Sequence, residues 1–269
     1  MVFALWLLAV APALAQAQTA ASRLMLAAVT DPRGHSVVDI GSDDFVVQEG
    51  SATREILSVR VADYPIVVLL DASAAAPDDF ALMQSAAAHF IERLGNDRPV
   101  IVATSGQPPR LLATFDDERA TVLDRLRALT SQPSQASVFD AVALAANTLH
   151  ATDTLFSSVV VLSATPNGGT ATPSAEAMAG IIESNAIIHV ISQNAASGAL
   201  RAIANQTRGE FTPIYAAASF QAALDRLVDR LGTEMLIEYL VPPGSKPVDA
   251  KVGIKVPGAR VRGLGVAPK

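Results

Sequence analysis

Cysteine is absent from all 269 residues. That excludes a disulfide framework, a thiolate zinc site, a cysteine nucleophile and attachment of lipid to a cysteine. Aromatic residues make up only 5% of the chain, so few side chains of the kind that anchor tight protein contacts are available. The histidines, His35, His89, His150 and His189, show no metal-ligand spacing and read as surface or core residues. Also missing are a Gly-x-Gly-x-x-Gly turn after a strand, a Walker Gly-Lys-Ser/Thr, a Gly-x-Ser-x-Gly elbow and a His-Glu-x-x-His pair. Ser163 ends an apolar run, as a hydrolase nucleophile does, but the glycines that flank such a serine are lacking. Neither catalysis nor a small-molecule substrate is expected. The basic residues are scattered and the formal charge is −6 with a pI near 5.2, which argues against a nucleic-acid or anionic-membrane surface.

Half of the residues are hydrophobic, enough for a sizeable core. Residues 1–15 combine an apolar run with Pro12 and the small-residue stretch Ala13-Leu14-Ala15, the pattern of a cleavable secretory signal. No Lys or Arg precedes Arg23, so the positive charge usual at the start of such a signal is missing. A membrane anchor needs about 20 continuous apolar residues, and this run is shorter and broken by Pro12. The expectation is export to a periplasm or to the exterior, with membrane contact only through an uncleaved N-terminal segment.

From Tyr64 to Leu231 strand-like and helix-like segments alternate. Residues 66–70 form a continuous apolar run suited to a strand buried on both faces. Helical spacing follows over 78–94, where Gly95-Asn96-Asp97 supplies a stop. Strands are read at 100–104 and 111–115, the second antiparallel to the first across a short link. Further helices are read at 116–129, 140–149, 176–185, 197–206 and 219–231, and strands at 158–163, 186–192 and 209–214. This alternation implies a doubly wound α/β domain, a mostly parallel sheet with helices on both faces. The flanks differ, being short strands punctuated by Gly and Pro turns. Together they suggest a small β module from which the α/β domain is inserted, although each flank could extend the main sheet or stand alone. The implied division is a signal at 1–15, an N-terminal β segment at 22–62, the α/β domain at 63–233 and a C-terminal β segment at 234–269.

Three segments carry a resemblance. The first is the apolar strand running into Asp71-Ala72-Ser73-Ala74-Ala75. The second is Ala136-Ser137-Val138-Phe139-Asp140-Ala141, a hydroxyl-bearing loop leading into a helix. The third is Val159-Val160-Val161-Leu162-Ser163-Ala164. In this order they resemble the von Willebrand factor type A domain, a Rossmann-like fold, and the exported bacterial group related to it. The likeness implies a metal-ion-dependent adhesion site at the carboxyl edge of the sheet, where a magnesium ion is completed by a partner's carboxylate. Asp71 and Ser73 match the family's Asp-x-Ser-x-Ser, and Ser137 stands where the family has a Thr. Ala75 replaces the second Ser, and Ala164 stands where members usually end the strand in an Asp. One carboxylate with two hydroxyls is a poor site for a hard divalent ion, so the metal set Asp71, Ser73 and Ser137 is expected to be degenerate, with no cofactor or only weak Mg2+ or Mn2+. Asp140 is expected to serve as a cap or structural partner, and Asp71 and Ser73 have an equally plain use as caps for the helix that follows. The turn Asn167-Gly168-Gly169-Thr170 is expected to border the same edge. The resulting expectation is a protein-binding module that uses Asp71, Ser73, Ser137 and Ala164 as its contact edge. The alternatives are metal-dependent ligand capture through a compensated site and a structural scaffold in an envelope assembly.

Overall fold

The computed structural model describes residues 21–37, 39–71, 77–106, 108–131, 138–164, 174–193, 195–246 and 249–267. The expected signal segment, Ser73, Ala75, Ser137 and the 167–170 turn lie outside the described residues.

Uninterrupted apolar runs build the centre of the molecule. Strands β5 (Ile66–Asp71), β6 (Val100–Thr104), β8 (Ser158–Ser163) and β9 (Ile187–Ser192) are buried at every position, as strands covered on both faces must be. With β7 (Arg110–Leu111) and β10 (Phe211–Pro213) they form a six-stranded sheet in the order β10-β9-β8-β5-β6-β7. All neighbours are parallel except β6 and β7, so the expected antiparallel edge strand is present. Helices α1 (Pro77–Arg93), α2 (Arg119–Arg127), α3 (Val138–His150), α4 (Ala175–Glu183), α5 (Gly198–Gln206) and α6 (Ser219–Leu231) cover it. Helix α1 packs against both α2 and α6, and α3 packs against α4.

Three elements are shorter than their sequence pattern suggests, each for a local reason. Strand β7 stops at Leu111 because the chain turns at Thr114, whose amide and hydroxyl both donate to Asp117 Oδ2 at 2.8 and 3.1 Å. The same turn delays α2 to Arg119. Strand β10 starts late because Gly209 N donates to Ala204 O at 2.8 Å, finishing α5 rather than opening a strand.

The flanks do pair with each other. Strand β1 (Ala21–Thr30) lies between β11 (Glu234–Val241) and β13 (Arg260–Ala267), and β4 (Ile56–Val61) pairs with the far side of β11. A second antiparallel sheet joins β12 (Ala250–Ile254), β2 (Phe45–Glu49) and β3 (Ala52–Arg54). The two sheets enclose a core of their own, in which Met25, Ala27 and Val29 of β1 and Ile237, Tyr239 and Val241 of β11 meet Phe45 and Val47 of β2. Leu26 and Leu236 point the other way, into the core of the α/β body. The four-stranded sheet is thus buried on one side by the small sheet and on the other by the body, with side chains that alternate between the two.

Polar groups fasten this seam. Tyr64, in the link between β4 and β5, donates its hydroxyl to Glu234 at the start of β11. Burial is the main reason that the Tyr64 phenol is pushed well above its ordinary value and the Glu234 carboxyl is also raised. Arg98 lies over the Tyr64 ring, 5.1 Å from its centroid, and donates to Ala62 O. Such a stacked cation is favourable in a desolvated place.

Candidate functional site

The parallel strands deliver their carboxyl ends to one rim, remote from the β sandwich. In α/β sheets of this kind that edge is where ligands bind. Asp71 closes β5 at the middle of it and is 3% exposed. Strand β5 runs between β6 and β8, and the two neighbours hold the carboxylate from either side. Ser105 follows β6, and its amide donates to Leu70 O at 3.0 Å. That bond sets its hydroxyl 2.8 Å from Asp71 Oδ1. Ser163 ends β8 in register with Asp71 and donates its hydroxyl to Asp71 Oδ2 at 2.8 Å. Each carboxylate oxygen therefore receives a charge-assisted hydrogen bond, the stronger kind, and Asp71 carries a further interaction besides these two.

Ala164, next along the rim, is fully buried. Its amide donates to Asp71 O at 3.3 Å, so the main chain of β8 continues to brace β5 after the side-chain contacts end. Beyond it, Gln193 N donates to Ser163 O at 3.0 Å. The carboxamide of Gln193 spans from the Ala164 carbonyl, to which it donates at 2.7 Å, to the Ala217 amide, from which it accepts at 2.9 Å. The rim is in this way stitched from β5 through β8 and β9 to the loop that enters α6. Tyr215 stands on that loop, just past β10, and is 94% exposed.

Of the residues expected at this edge, Asp71 and Ala164 are at the rim and adjacent. Ser73 and Ser137 lie outside the described residues. Asp140 is exposed in the first turn of α3, where a negative charge favours the helix. Among the described residues, no group of three or more His, Asp and Glu side chains converges. Ser105, Gln193 and Tyr215 were not singled out by sequence, and Ser163 was weighed only as a nucleophile. In the fold its hydroxyl is spent on a carboxylate, and among the described residues no histidine accompanies it in the manner of a catalytic serine.

The histidines divide as their composition suggests. His35 and His89 are on the surface, while His189 of β9 is buried beneath α6. Arg230 Nη2 lies 3.0 Å from His189 Nδ1. A guanidinium only donates, so Nδ1 accepts and the ring proton sits on Nε2. Burial, with the Arg230 charge beside it, lowers the His189 pKa to about 3.

Residues 66–166 match the family model of the von Willebrand factor type A domain. The chain is similar to a von Willebrand factor type A structure from Catenulispora acidiphila, with a TM-score of 0.53 and 13% identity over 94% of this chain and 74% of that one. It is also similar to an aerotolerance-related membrane protein from Bacteroides fragilis NCTC 9343, solved with multiple mutations to serines, with a TM-score of 0.51 and 11% identity over 62% of this chain and 98% of that one. Proximal thread matrix protein 1 from the mussel byssus gives a TM-score of 0.50 and 11% identity over 63% of this chain and 48% of that one. No curated protein matches the sequence. The central α/β body thus has the von Willebrand factor type A fold.

Proposed function

We propose that the chain is an exported, non-catalytic protein-binding module that meets its partner at the carboxyl rim of the type A fold and needs no metal ion to do so. The observation that carries this reading is the closure of Asp71 by two hydroxyls, Ser105 on Oδ1 and Ser163 on Oδ2. A hard divalent ion needs about six oxygen ligands that converge with lone pairs free. Here the two hydroxyls aim hydrogens at the carboxylate, and Ala164 offers a methyl group where an acidic side chain would add charge. The described donors suit contact without a metal ion better than they suit the ion that the family's adhesion site holds.

What remains at the rim suits contact with a protein surface. The main-chain and amide stitching of Asp71, Ala164, Gln193 and Ala217 gives a rigid platform, and Tyr215 projects from it as an aromatic anchor with almost its whole side chain available. A tyrosine so placed can bury a large area while keeping a hydroxyl for a polar partner. Export rests on the N-terminal sequence pattern. Among the described residues no helix is long and apolar enough to cross a membrane.

Calorimetry of the chain with Mg2+ and Mn2+, using Asp71→Ala as control, tests the metal half of the proposal. The expected result is no binding heat and no thermal shift in either protein, whereas metal binding lost in Asp71→Ala would overturn it. Cross-linking of the chain to an envelope fraction tests the other half. The expected result is a defined adduct that forms equally with Mg2+ or with EDTA and weakens by at least about tenfold in Tyr215→Ala, the scale of a central aromatic contact. Adducts indifferent to Tyr215→Ala would place the contact surface elsewhere.

A further inference from the structure

A cavity of about 210 Å3 opens between α6 and the β9–β10 side of the sheet, with β8 between β9 and the strand that carries Asp71. Its chemistry follows from register. Thr212 pairs with Ile191 and Phe211 with Val190, so Glu210 and Thr212 stand on the same face as His189 and Ile191. Phe211 faces the other way, where Arg201 of α5 lies 4.2 Å from its ring centroid. Helix α6 crosses the first face with Ala223, Arg226, Leu227 and Arg230, positions that share one helical stripe. The cavity therefore has a floor of aliphatic carbon and a wall of hydrogen-bond donors.

The donors outnumber the acceptors available to them. Arg230 is paired with the carboxylate of Glu210 and also serves His189 Nδ1. His189 Nε2, which carries the ring proton, is buried without a hydrogen-bond partner among the described residues. Arg226 is exposed and makes no hydrogen bond or ion pair among the described residues. Two guanidiniums thus border the cavity, and Glu210 is the one carboxylate of its lining, while His189 is uncharged at neutral pH. Glu210, more than half exposed, has its carboxylate held by Arg230 alone among the described residues, so little opposes an outward swing.

We propose that this cavity binds a small oxyanion, a phosphate or carboxylate group, held by Arg226 and Arg230 with the Thr212 hydroxyl beside them. Glu210 is its internal competitor: a carboxylate of the chain already rests on Arg230, and an incoming anion displaces it. Paired guanidiniums are suited to this because each presents parallel N–H donors that match two oxygens at once. The site is separate from the proposed contact rim and stands or falls without it.

The test is isothermal calorimetry of the full chain with inorganic phosphate and, in a second arm, with acetate, each against sodium chloride at equal ionic strength. Saturable binding of phosphate alone assigns a phosphate ligand, of acetate alone a carboxylate, and of both a general oxyanion site. In each supporting case Arg226→Ala weakens binding by about tenfold, the worth of one charge-assisted contact, and Glu210→Gln tightens it by freeing Arg230. Arg33→Ala, another exposed arginine, leaves it unchanged. Absence of saturable binding in both the natural chain and Glu210→Gln overturns the proposal, as does binding that is indifferent to Arg226→Ala. Arg226 is on the surface, so its loss leaves the fold intact, and unchanged thermal unfolding of the variant verifies this.

Discussion

Asp71 is nearly as buried as the leucines that precede it, and a carboxylate at that depth is tolerated only when its oxygens are hydrogen-bonded. Ser105 and Ser163 supply those bonds, so removing either hydroxyl leaves a buried oxygen short of a donor. Ser163→Ala is expected to lower unfolding stability in urea by about 1–3 kcal/mol, with Ser105→Ala in the same range. A change near zero in both would show that the hydroxyls are incidental. The sequence reaches Asp71 and Ala164 through the family resemblance, which is anchored by the apolar runs that they close. It does not reach the serine bonds, which join residues 34 and 92 positions apart. Nor does it reach the exposure of Tyr215, which follows Ile214 as though continuing a strand. His189 gives a second test at this scale. The native ring takes a proton only near pH 3, whereas the unfolded ring does so near its ordinary value of about 6.5. The unfolded chain therefore holds the extra proton between those values, so stability is complete above pH 6.5 and falls as the pH drops through the window, by up to about 1.4 kcal/mol per pH unit. His189→Gln is expected to lose that component of the acid slope, as followed by denaturant midpoints from pH 7 to pH 4.

Elements are where the sequence was most readable, for two reasons. Strands such as β5 and β8 carry continuous apolar runs closed by a polar residue, and helices such as α1 and α6 repeat their apolar positions at 3.6-residue spacing. Ends were less readable where a side chain diverts the backbone, as Asp117 does ahead of α2. The join between α5 and β10 shows how little room such an end leaves. A methyl group added to Gly209 would lie 1.9 Å from Ile188 O, a main-chain atom with no freedom to withdraw. Gly209→Ala is expected to force α5 away from β9 and to destabilise the chain by about 1–3 kcal/mol or more, the usual scale of overpacking. Thermal unfolding measures it, and an unchanged midpoint would mean that the turn can be rebuilt without strain.

For the whole molecule the decisive feature is that β11 lies between β1 and β4 while its first residues reach into the seam. The α/β body is bound to the sandwich by Tyr64, Glu234 and Arg98 as well as by the two chain crossings. Tyr64→Phe keeps the ring beneath Arg98 but withdraws the hydroxyl from Glu234. It is expected to cost about 1–3 kcal/mol while leaving a single unfolding transition by calorimetry. Two separated transitions in the variant would identify this bond as what couples the modules. Glu234 sets a trend of the opposite sign. Its native pKa is raised, so above the ordinary carboxyl value the unfolded chain has lost a proton that the native state retains. Stability therefore declines as pH rises through that interval, and Glu234→Gln is expected to flatten the decline. The pairing of the two flanks was legible as the favoured of three options, but not the identity of the paired strands, because short strands punctuated by glycine and proline do not declare their partners.

One consequence of the β1–β13 pairing is mechanical. Leu24, near the start of β1, pairs with Ala267 at the end of β13, so the polypeptide enters and leaves the sandwich side by side. Traction between those two points would peel β13 from β1 one rung at a time and leave the α/β body slack. Traction between the start of β1 and a partner seated on the Asp71 rim runs instead through both chain crossings and along the buried length of β5, where many hydrogen bonds share the load. Held at its beginning and gripped at its far rim, such a molecule would resist in one direction and yield in the other.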